Sequence, residues 1–371
     1  MLMHKKQTSY RENGMKVVVS TFNNSKNNYG ALLQSCGLSA FLTKLNYEVA
    51  YVTIEQRMTK KQKRRNRLTI IKEMVKKIIF LPHARELNDR ERKFKQFASE
   101  TQNQILYHTD EELYRNPPKA DLYLSGSDQL WNPVAMHEDL LLAYAPIGSK
   151  KISYAASMGN ENIPVDNKER FIELIRDYAS VSVREDTVVD VIKTITHKPV
   201  YQHVDPVFLK TQSEWIELEK PYEKLRYEQY ILAYIIEWNA AYNKQLSEIK
   251  NKTGLPVVSI NIGNIKKVCA EQVIYDASPN EFLYLLHNAN IVVATSFHGI
   301  AMSVVYNKPF LALAGSDMPT RIQSLLRHFE IDPNSSLNYC LEDFERVNCM
   351  IIQDQIASKD FLSKFKDNND E

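Results

Sequence analysis

The sequence predicts an α/β protein built from two Rossmann-like lobes with a cleft between them. Short runs of β-branched and aliphatic residues alternate along most of the chain with segments at helical spacing, beginning with Met15–Thr21 and Leu32–Leu45. Strands that alternate with helices form parallel sheets that are covered on both faces. The 371 residues exceed the roughly 250–300 at which one hydrophobic core stops growing, so two such lobes are expected.

The alternating pattern is interrupted once, between Leu209 and Glu228, where the chain becomes polar and loses its periodicity. We place the lobe boundary there, which gives a first lobe over 15–215 and a second over 225–345. A polar extension, 1–14, precedes the first lobe. A C-terminal helix with a polar tail, 346–371, follows the second, and in two-lobed folds such a helix often crosses back to the first lobe.

A basic helical insertion is expected in the first lobe, at about 56–100. Seven lysines and arginines fall between Arg57 and Arg67 with no acidic residue among them, and apolar residues recur at helical intervals over Leu68–Leu81. A basic amphipathic segment can bind an anionic membrane surface. The alternative, which we favour, is the solvated face of a mobile insertion. The oligomeric state is left open, with a homo-oligomer as one option.

Composition indicates a globular protein of ordinary hydrophobicity and nearly balanced charge. Hydrophobic residues make up 44% and charged residues 25% of the chain. A net charge of +2 gives no field that favours nucleic acid. The four cysteines have neither CxxC nor metal-ligand spacing, which is typical of a reduced compartment. With no apolar signal segment and no apolar run of ~18 residues, we expect a cytoplasmic protein, either free or peripheral at the cytoplasmic membrane face.

Glycine is scarce, since the chain has ten glycines where average usage would give roughly 26. Each glycine is therefore expected to meet a backbone requirement. Four of them, Gly30, Gly126, Gly159 and Gly299, lie in polar turns next to predicted strands or helices. Open α/β sheets bind ligands outside the carboxyl ends of their strands, so such turns are candidate binding segments.

The most informative turn is TSFHG, at 295–299, which joins a β-branched strand to a run at helical spacing. A helix N-terminus binds anions through its free N–H groups. His298 and the hydroxyls of Thr295 and Ser296 are therefore placed to contact an anion. The alternative is a histidine that caps the helix or fills a satisfied pocket.

Two turns of the first lobe have the residue types of a sugar site. SGSDQLWN, at 125–132, offers the carboxylate of Asp128, an amide at Gln129 and an aromatic ring at Trp131, followed by Asn132. Sugar hydroxyls need polar partners with donors and acceptors, and a sugar CH face packs on a ring. The alternative is that Asp128 caps a helix and that Trp131 anchors the core.

A second polar turn, NNYGALLQ at 27–34, precedes the first predicted helix. It lacks GxGxxG, so the dinucleotide fingerprint is absent. Asn28 is a natural N-cap, because its side chain can accept from free N–H groups of the first turn. The turn could bind a sugar or a phosphate, or it could simply be well capped.

Arg184 follows the predicted strand Ser180–Val183 and is a candidate for binding phosphate or carboxylate. Its guanidinium presents a fixed fork of donors that matches such anions. The alternative is an ion pair with its sequence neighbours Glu185 or Asp186.

Taken in order, six motifs resemble the polysaccharide pyruvyl transferase family. They are NNYGALLQ (27–34), SGSDQLWN (125–132), SYAASMG (153–159), SVRE (182–185), DPVF (205–208) and TSFHG (295–299). Each motif is weak alone, but the series over about Lys16–Phe329 is specific. The resemblance implies a GT-B-like fold and transfer of pyruvate from phosphoenolpyruvate (PEP) to a sugar of a cell-surface glycan, as a cyclic ketal, with PEP as co-substrate and without cofactor or metal.

The resemblance also assigns residues. The family's first-lobe arginine matches Arg184 and its second-lobe histidine matches His298. We expect proton transfer from His298, with Asp128 as base for the sugar hydroxyl. Donor binding is expected from Arg184, Ser296, His298, Gly299 and Arg321. Acceptor binding is expected from Asn28, Tyr29, Gln129, Trp131 and Asn132.

One departure from the family pattern affects the donor site. Many members have Arg-Leu-His-Gly where this chain has Ser-Phe-His-Gly, at 296–299. The missing guanidinium removes a donor pair for phosphate, and Arg321 or Lys308 is the candidate replacement. Two other functions stay open: a GT-B glycosyltransferase that uses a nucleotide sugar, and a non-catalytic glycan-assembly protein. The acceptor, free or polyprenyl-linked, is also open.

Overall fold

The computed structural model describes residues 14–56, 78–159, 163–236, 238–263, 268–313, 318–332 and 341–366. The predicted basic run, Arg57–Arg67, and most of the apolar repeat after it lie outside these ranges, as does nearly all of the predicted polar extension. Within the described ranges, no helix is both long enough and apolar enough to cross a bilayer.

The first lobe contains a parallel sheet of five strands in the order β3-β2-β1-β4-β5. These strands are β1 (Met15–Ser20), β2 (Tyr47–Gln56), β3 (Gln104–Thr109), β4 (Leu122–Ser125) and β5 (Lys151–Ser153). Strand β1 lies at the centre, and its three consecutive valines, 17 to 19, are fully buried. A strand covered on both faces is expected to be a continuous apolar run. A parallel pair, β6 (Val181–Val183) and β7 (Val200–Gln202), joins the β5 edge through single bridges.

In the described part of the first lobe, five helices connect these strands. They are α1 (Tyr29–Lys44), α2 (Ala84–Thr101), α3 (Asp110–Arg115), α4 (Val165–Arg176) and α5 (Asp186–Thr196). The predicted cap of α1 is confirmed, because the Asn28 side chain accepts from the Ala31 N–H at 3.2 Å. The helix begins at Tyr29 rather than at Leu32, since an N-cap is followed directly by the first helical residue. A short helix, α6 (Gln212–Ile216), leads towards the second lobe.

The second lobe repeats this topology, with a parallel sheet in the order β10-β9-β8-β11-β12. Its strands are β8 (Ile231–Tyr234), β9 (Val257–Ile260), β10 (Gln272–Ile274), β11 (Ile291–Ala294) and β12 (Phe310–Ala312). Its helices are α7 (Ala240–Thr253), α8 (Pro279–His287), α9 (Phe297–Val305) and α10 (Thr320–His328). The prediction of two Rossmann-like lobes is therefore confirmed.

A hydrophobic core continues from one lobe into the other. The Tyr29 ring stacks on Phe282 of the second lobe with centroids 4.5 Å apart, and Phe94 of α2 contacts it at 4.8 Å. The Tyr29 hydroxyl donates to the carbonyl of Ala277 at 2.8 Å. Nearby, Arg90 donates to a second-lobe carbonyl at 2.8 Å. The two lobes thus share a dry, hydrogen-bonded seam.

The C-terminal helix α11 (Leu341–Ser363) spans both lobes. Val347 packs in the core that includes the second lobe, whereas Phe361 and Leu362 pack with the first-lobe strands. The Tyr47 hydroxyl donates to the Leu362 carbonyl at 2.7 Å. The helix begins at Leu341, before the predicted segment 346–371, and crosses back to the first lobe.

Candidate functional site

A cavity of about 540 Å³ opens between the lobes at the carboxyl ends of their central strands. Phe22 and Asp128 line it from the turns after β1 and β4, and Ile236 and Thr295 line it from the turns after β8 and β11. In each lobe this is the point where the strand order reverses, and open α/β sheets bind ligands there. The volume falls in the range of roughly 300–1,000 Å³ that is usual for small-molecule sites. The cavity is therefore the candidate active site.

His298 lies in the first turn of α9 and lines this cavity, with 5% of its surface exposed. The helix begins at Phe297 and not at Gly299, because Ser296 is the N-cap and its hydroxyl accepts from the Gly299 N–H at 3.4 Å. His298 is thus the second helical residue. Its Nε2 lies 3.5 Å from Oδ2 of Asp205 in the first lobe. The histidine therefore joins the two lobes rather than only capping its own helix.

The backbone of α1 holds the imidazole from the other side. A Cβ added at Gly30 would lie 2.0 Å from Nδ1 of His298, so only a hydrogen atom fits there. The backbone requirement expected at this glycine is a close approach between lobes. The position of His298 therefore depends on a residue of the opposite lobe.

Asp205 is the centre of a buried charge network and is 1% exposed. Its Oδ2 accepts from Nη1 of Arg184 at 2.6 Å and from Oγ of Ser127 at 3.0 Å. Its Oδ1 accepts from the Val207 N–H at 3.1 Å. Burial alone would raise the pKa of Asp205, but His298, Arg184 and the Val207 N–H together hold that pKa well below its usual range. Asp205 is therefore held as an anion where it faces both Arg184 and His298.

Arg184 contacts the second lobe directly instead of facing it across the cavity. Its Cζ lies 4.0 Å from the centre of the Phe297 ring. The expected ion pair with Glu185 is present but long, at 3.5 Å, and the short contact is to Asp205. Asp186 pairs instead with an arginine of α10. Among the described residues, Nε and Nη2 of Arg184 have no hydrogen-bond partner, although its side chain is 4% exposed.

A second cavity, of about 50 Å³, lies beside the Phe297 ring and is lined by Arg184 and Arg321. Arg321 also lines the larger cavity. In the described part of the chain, no carboxylate forms an ion pair with Arg321. Burial lowers the pKa of Arg321, and the charge of Arg184 lowers it further. Two guanidinium groups with unused donors form a site suited to an anion.

Asp128 lies in a strained turn after β4. Its φ of 82° is in the left-handed region, which residues other than glycine rarely adopt. The turn is held by its carbonyl, which accepts from the Ser157 N–H at 3.0 Å, and by Oδ1, which accepts from the Gln129 N–H at 2.8 Å. Strain of this kind tends to occur at functional sites. Asp128 lines the same cavity as His298.

Three of the predicted acceptor residues do not line the cavity. Trp131 is fully buried, and its indole N–H donates to Oγ of Ser125 at 2.9 Å. Tyr29 is buried in the seam between the lobes. The Asn132 side chain accepts from the Val134 N–H at 2.9 Å within its own turn. Sugar binding by Trp131 and Tyr29 is therefore wrong, because neither ring has an open face, and the core-anchor alternative holds for Trp131.

Asn28 and Gln129 do line the cavity. Asn28 also caps α1, which confirms the capping interpretation, whereas binding of a sugar or phosphate by this residue stays a prediction. Gln129 packs over Gly159, where an added Cβ would lie 1.9 Å from Nε2 and where φ is 65°. The sequence motifs missed Phe22 and Tyr242, which line the cavity as well. The carboxyl-end rule could have found both, since each lies shortly after a central strand.

Of the two candidates for the missing guanidinium, Arg321 lies at the cavity and Lys308 does not. Lys308 follows the C-terminal end of α9, the opposite end from His298, and its N–H donates to the Ser303 carbonyl at 2.8 Å. Burial lowers the pKa of Lys308. Ser296, which stands where many family members have arginine, is used as the helix cap.

Asp205 was present in the motifs without a predicted role, and Glu185 was predicted only as a possible ion-pair partner of Arg184. The sequence did contain a signal for a functional residue at Asp205, because this aspartate precedes a proline and follows the end of a predicted strand. Its contacts with Arg184 and His298 join segments that are far apart in sequence. Glu185 accepts from Oγ of Ser157 at 2.5 Å on the far side of the same network.

Two Rossmann-like lobes with a polar cavity at the carboxyl ends of both sheets define a GT-B-like α/β protein. The sequence model for polysaccharide pyruvyl transferase matches residues 28–317. This chain therefore belongs to the polysaccharide pyruvyl transferase family. A search of curated proteins finds no match.

Solved structures have the same architecture at low sequence identity. A Listeria monocytogenes protein assigned provisionally as UDP-N-acetylglucosamine 2-epimerase has a TM-score of 0.51 and 11% identity, over 94% of this chain and 95% of that chain. UDP-GlcNAc 2-epimerase from Neisseria meningitidis, bound to UDP-GlcNAc, has a TM-score of 0.47 and 13% identity, over 92% of this chain and 100% of that chain. The Streptomyces glycosyltransferase SsfS6 has a TM-score of 0.44 and 12% identity, over 94% of this chain and 99% of that chain. The first of these supports the two-lobed fold.

Proposed function

We propose that this protein transfers the pyruvyl group of PEP to two hydroxyls of one sugar in a surface polysaccharide or its lipid-linked precursor. The product is a cyclic pyruvate ketal, and phosphate is released. One observation supports the proposal most directly. Arg184 and Arg321, which have unused guanidinium donors, lie with the buried His298 and the N-terminus of α9 where the lobes join. Family membership supports it independently.

The donor site suits a small molecule with two anionic ends. PEP carries a phosphate and a carboxylate, and both need cationic or N–H-rich partners. Arg184 and Arg321 supply guanidinium donors around the 50 Å³ cavity, whose size suits one oxyanion. The N-terminus of α9 adds N–H groups and a positive dipole end beside His298.

The chemistry requires a proton donor for the methylene carbon of PEP. His298 gives its proton to that carbon, and the ionised Asp205 stabilises the imidazolium beforehand. The adjacent carbon becomes electrophilic, and a sugar hydroxyl attacks it after losing its proton to Asp128. The bond from this carbon to the phosphate oxygen then breaks. The second hydroxyl closes the ketal; of the two hydroxyl protons, one restores His298 and one leaves with phosphate.

The direct test combines the purified protein with PEP and a galactose- or N-acetylmannosamine-containing acceptor. Phosphate release together with a pyruvylated product in the mass spectrum is the expected result. His298→Ala should abolish turnover, because His298 is the only histidine among the described residues that line the cavity. Full activity of His298→Ala with the true acceptor would show that the proton-transfer assignment is wrong.

Thermal-shift titrations separate the proposal from its rivals. Stabilisation by PEP and not by nucleotide sugars is expected for a pyruvyl transferase. The reverse pattern would favour a glycosyltransferase. Neither stabilisation nor turnover would favour a non-catalytic glycan-assembly protein.

A further inference from the structure

The larger cavity has an aromatic ring on each of its two walls. Phe22 follows β1 of the first lobe, Tyr242 lies in the first turn of α7 in the second lobe, and both are half-buried. We propose that Phe22 and Tyr242 form the subsite for the acceptor sugar, a pyranose whose CH surface packs against the rings. This inference rests on the proposed function and assigns the acceptor side of the same cavity.

Each ring is supported by the core of its own lobe. Phe22 packs against the first-lobe core and meets His137 edge-on, with centroids 6.2 Å apart. Tyr242 packs against the second-lobe core around Leu246. Rings that are already immobilised lose little conformational freedom when a sugar binds. In the described part of the chain the Tyr242 hydroxyl has no hydrogen-bond partner, so it is available to a sugar hydroxyl.

Two amide side chains complete the subsite. Gln129 is fixed by its contact with Gly159, where a Cβ would come within 1.9 Å of Nε2. Asn28 uses its oxygen as the cap of α1, at 3.2 Å from the Ala31 nitrogen, which leaves its NH₂ group for a ligand. Amides that flank aromatic rings give the polar and apolar contacts that a pyranose needs.

Position within the cavity favours the acceptor over the donor for these rings. Arg184 lines only the small cavity, and Arg321 lines both, so the cationic groups lie at one side. The larger cavity, at about 540 Å³, exceeds the space that PEP requires. Asp128 adjoins Gln129 in sequence and lines the same space, so a hydroxyl of a sugar held there can reach the proposed base.

The test measures binding of two probes, p-nitrophenyl β-galactoside and p-nitrophenyl N-acetyl-β-mannosaminide, by saturation-transfer NMR and calorimetry with and without PEP. Phe22→Ala and Tyr242→Ala should each weaken binding of the accepted glycoside about tenfold. The Kd for PEP should stay within about twofold, because the substitutions leave the cationic side unchanged. Tyr114→Ala, which removes an exposed tyrosine that does not line the cavity, is the matched control.

Three outcomes would overturn the subsite. They are no binding of either glycoside to the wild-type protein, unchanged glycoside affinity in both variants, and an equal loss of PEP affinity. Phe22→Leu keeps most of the volume and removes only the ring, so it replaces Phe22→Ala if that variant does not fold. Glycoside binding needs no turnover. A wild-type protein that binds glycoside at these rings but not PEP would contradict the proposed function and leave the subsite standing.

Discussion

Arg321 forms no ion pair with a carboxylate of the described residues, although Asp128, Glu185 and Asp205 oppose the fall in its pKa. It lines both cavities, and burial together with Arg184 lowers its pKa. A guanidinium with no acidic partner next to another guanidinium gains most when an anion binds. We therefore propose Arg321 as the replacement for the arginine that many relatives have at position 296.

Arg321→Gln is expected to raise the KM for PEP roughly 10- to 100-fold, since a charged hydrogen bond contributes about 1.5–3 kcal/mol. Steady-state kinetics with varied PEP measure this change. Arg327→Gln, on the same helix, is the control, because Arg327 pairs with Asp186 at 2.8 Å in a partly exposed position. An equal effect of the two substitutions would contradict anion binding by Arg321.

Gly30 is a positioning residue for His298, and its substitution tests the contact between lobes. Gly30→Ala should lower kcat about 100-fold, because a Cβ placed 2.0 Å from Nδ1 must displace the imidazole. Gly148→Ala is the control: its φ is +82° and no atom lies within 4 Å of the added Cβ. That variant should lose about 1 kcal/mol of unfolding free energy and keep its kcat. An active Gly30→Ala protein would show that the imidazole can adjust.

At the scale of elements, the N-terminal end of α9 combines the cap Ser296 with His298, the proposed proton donor. Ser296 accepts from the Gly299 N–H, and the buried first turn packs against α1 of the other lobe. The same residue that departs from the family pattern therefore has a structural function. Substitutions of Ser296 can therefore test the stability of the helix and the binding of an anion separately.

Two substitutions of Ser296 are expected to have different effects, one on the free energy of unfolding and the other on the KM for PEP. Ser296→Ala removes the cap and should lower the unfolding free energy by about 1 kcal/mol in urea titrations. Ser296→Asp keeps an acceptor for the helix and should retain stability, but its charge repels an anion, so the KM for PEP should rise. If Ser296→Asp bound PEP as well as wild type does, the anion would not lie at this helix terminus.

At the scale of the whole molecule, three helices bind the lobes together: α1, α2 and α11. Tyr29 and Phe94 fill the seam on one side, and α11 docks on the first lobe through Phe361. His203 lies under this docked helix, 4.6 Å from Phe361 and 5.5 Å from Tyr154 between ring centroids. Its Nδ1 lies 2.8 Å from Oγ of Ser182. Protonation here would place a charge in a hydrophobic contact.

Acidification should therefore destabilise the fold through His203. Burial lowers the pKa of His203 from 6.5 to about 4. A hydrogen bond with the backbone of Ala357 opposes this shift, and the charge of Lys364 adds to it. Between these pKa values the unfolded chain binds the extra proton, so the free energy of unfolding falls as the pH drops from 6.5 to about 4. The loss amounts to about 3 kcal/mol over the window, and none is expected above it.

Urea unfolding at a series of pH values measures this contribution. His203→Gln has no titrating group at this position, so its stability should depend less on pH in the same window. Parallel pH profiles for wild type and His203→Gln would contradict the assignment.

Much of the site's location followed from local patterns. The strand-end turns at 126–132 and 295–299 were recognisable because polar residues directly follow apolar runs, and Asn28 was recognisable as a cap from its chemistry. The assignments that failed concern side-chain direction. Trp131 and Tyr29 look like sugar-binding residues in the sequence, yet both side chains point into hydrophobic cores. Neither hydrophobic periodicity nor a short motif reveals which side chains pack against a ring.

By itself, the sequence determined the two Rossmann-like lobes, the family, and the cavity edge to which His298, Asp128 and Gln129 belong. Hydrophobic periodicity and capping act within a few residues, so these features can be read along the chain. Only the tertiary structure decided that Asp205 joins Arg184 to His298, that Gly30 supports the imidazole, and that Phe22 and Tyr242 face the same cavity. Those contacts join segments far apart in sequence, and packing between lobes selects them.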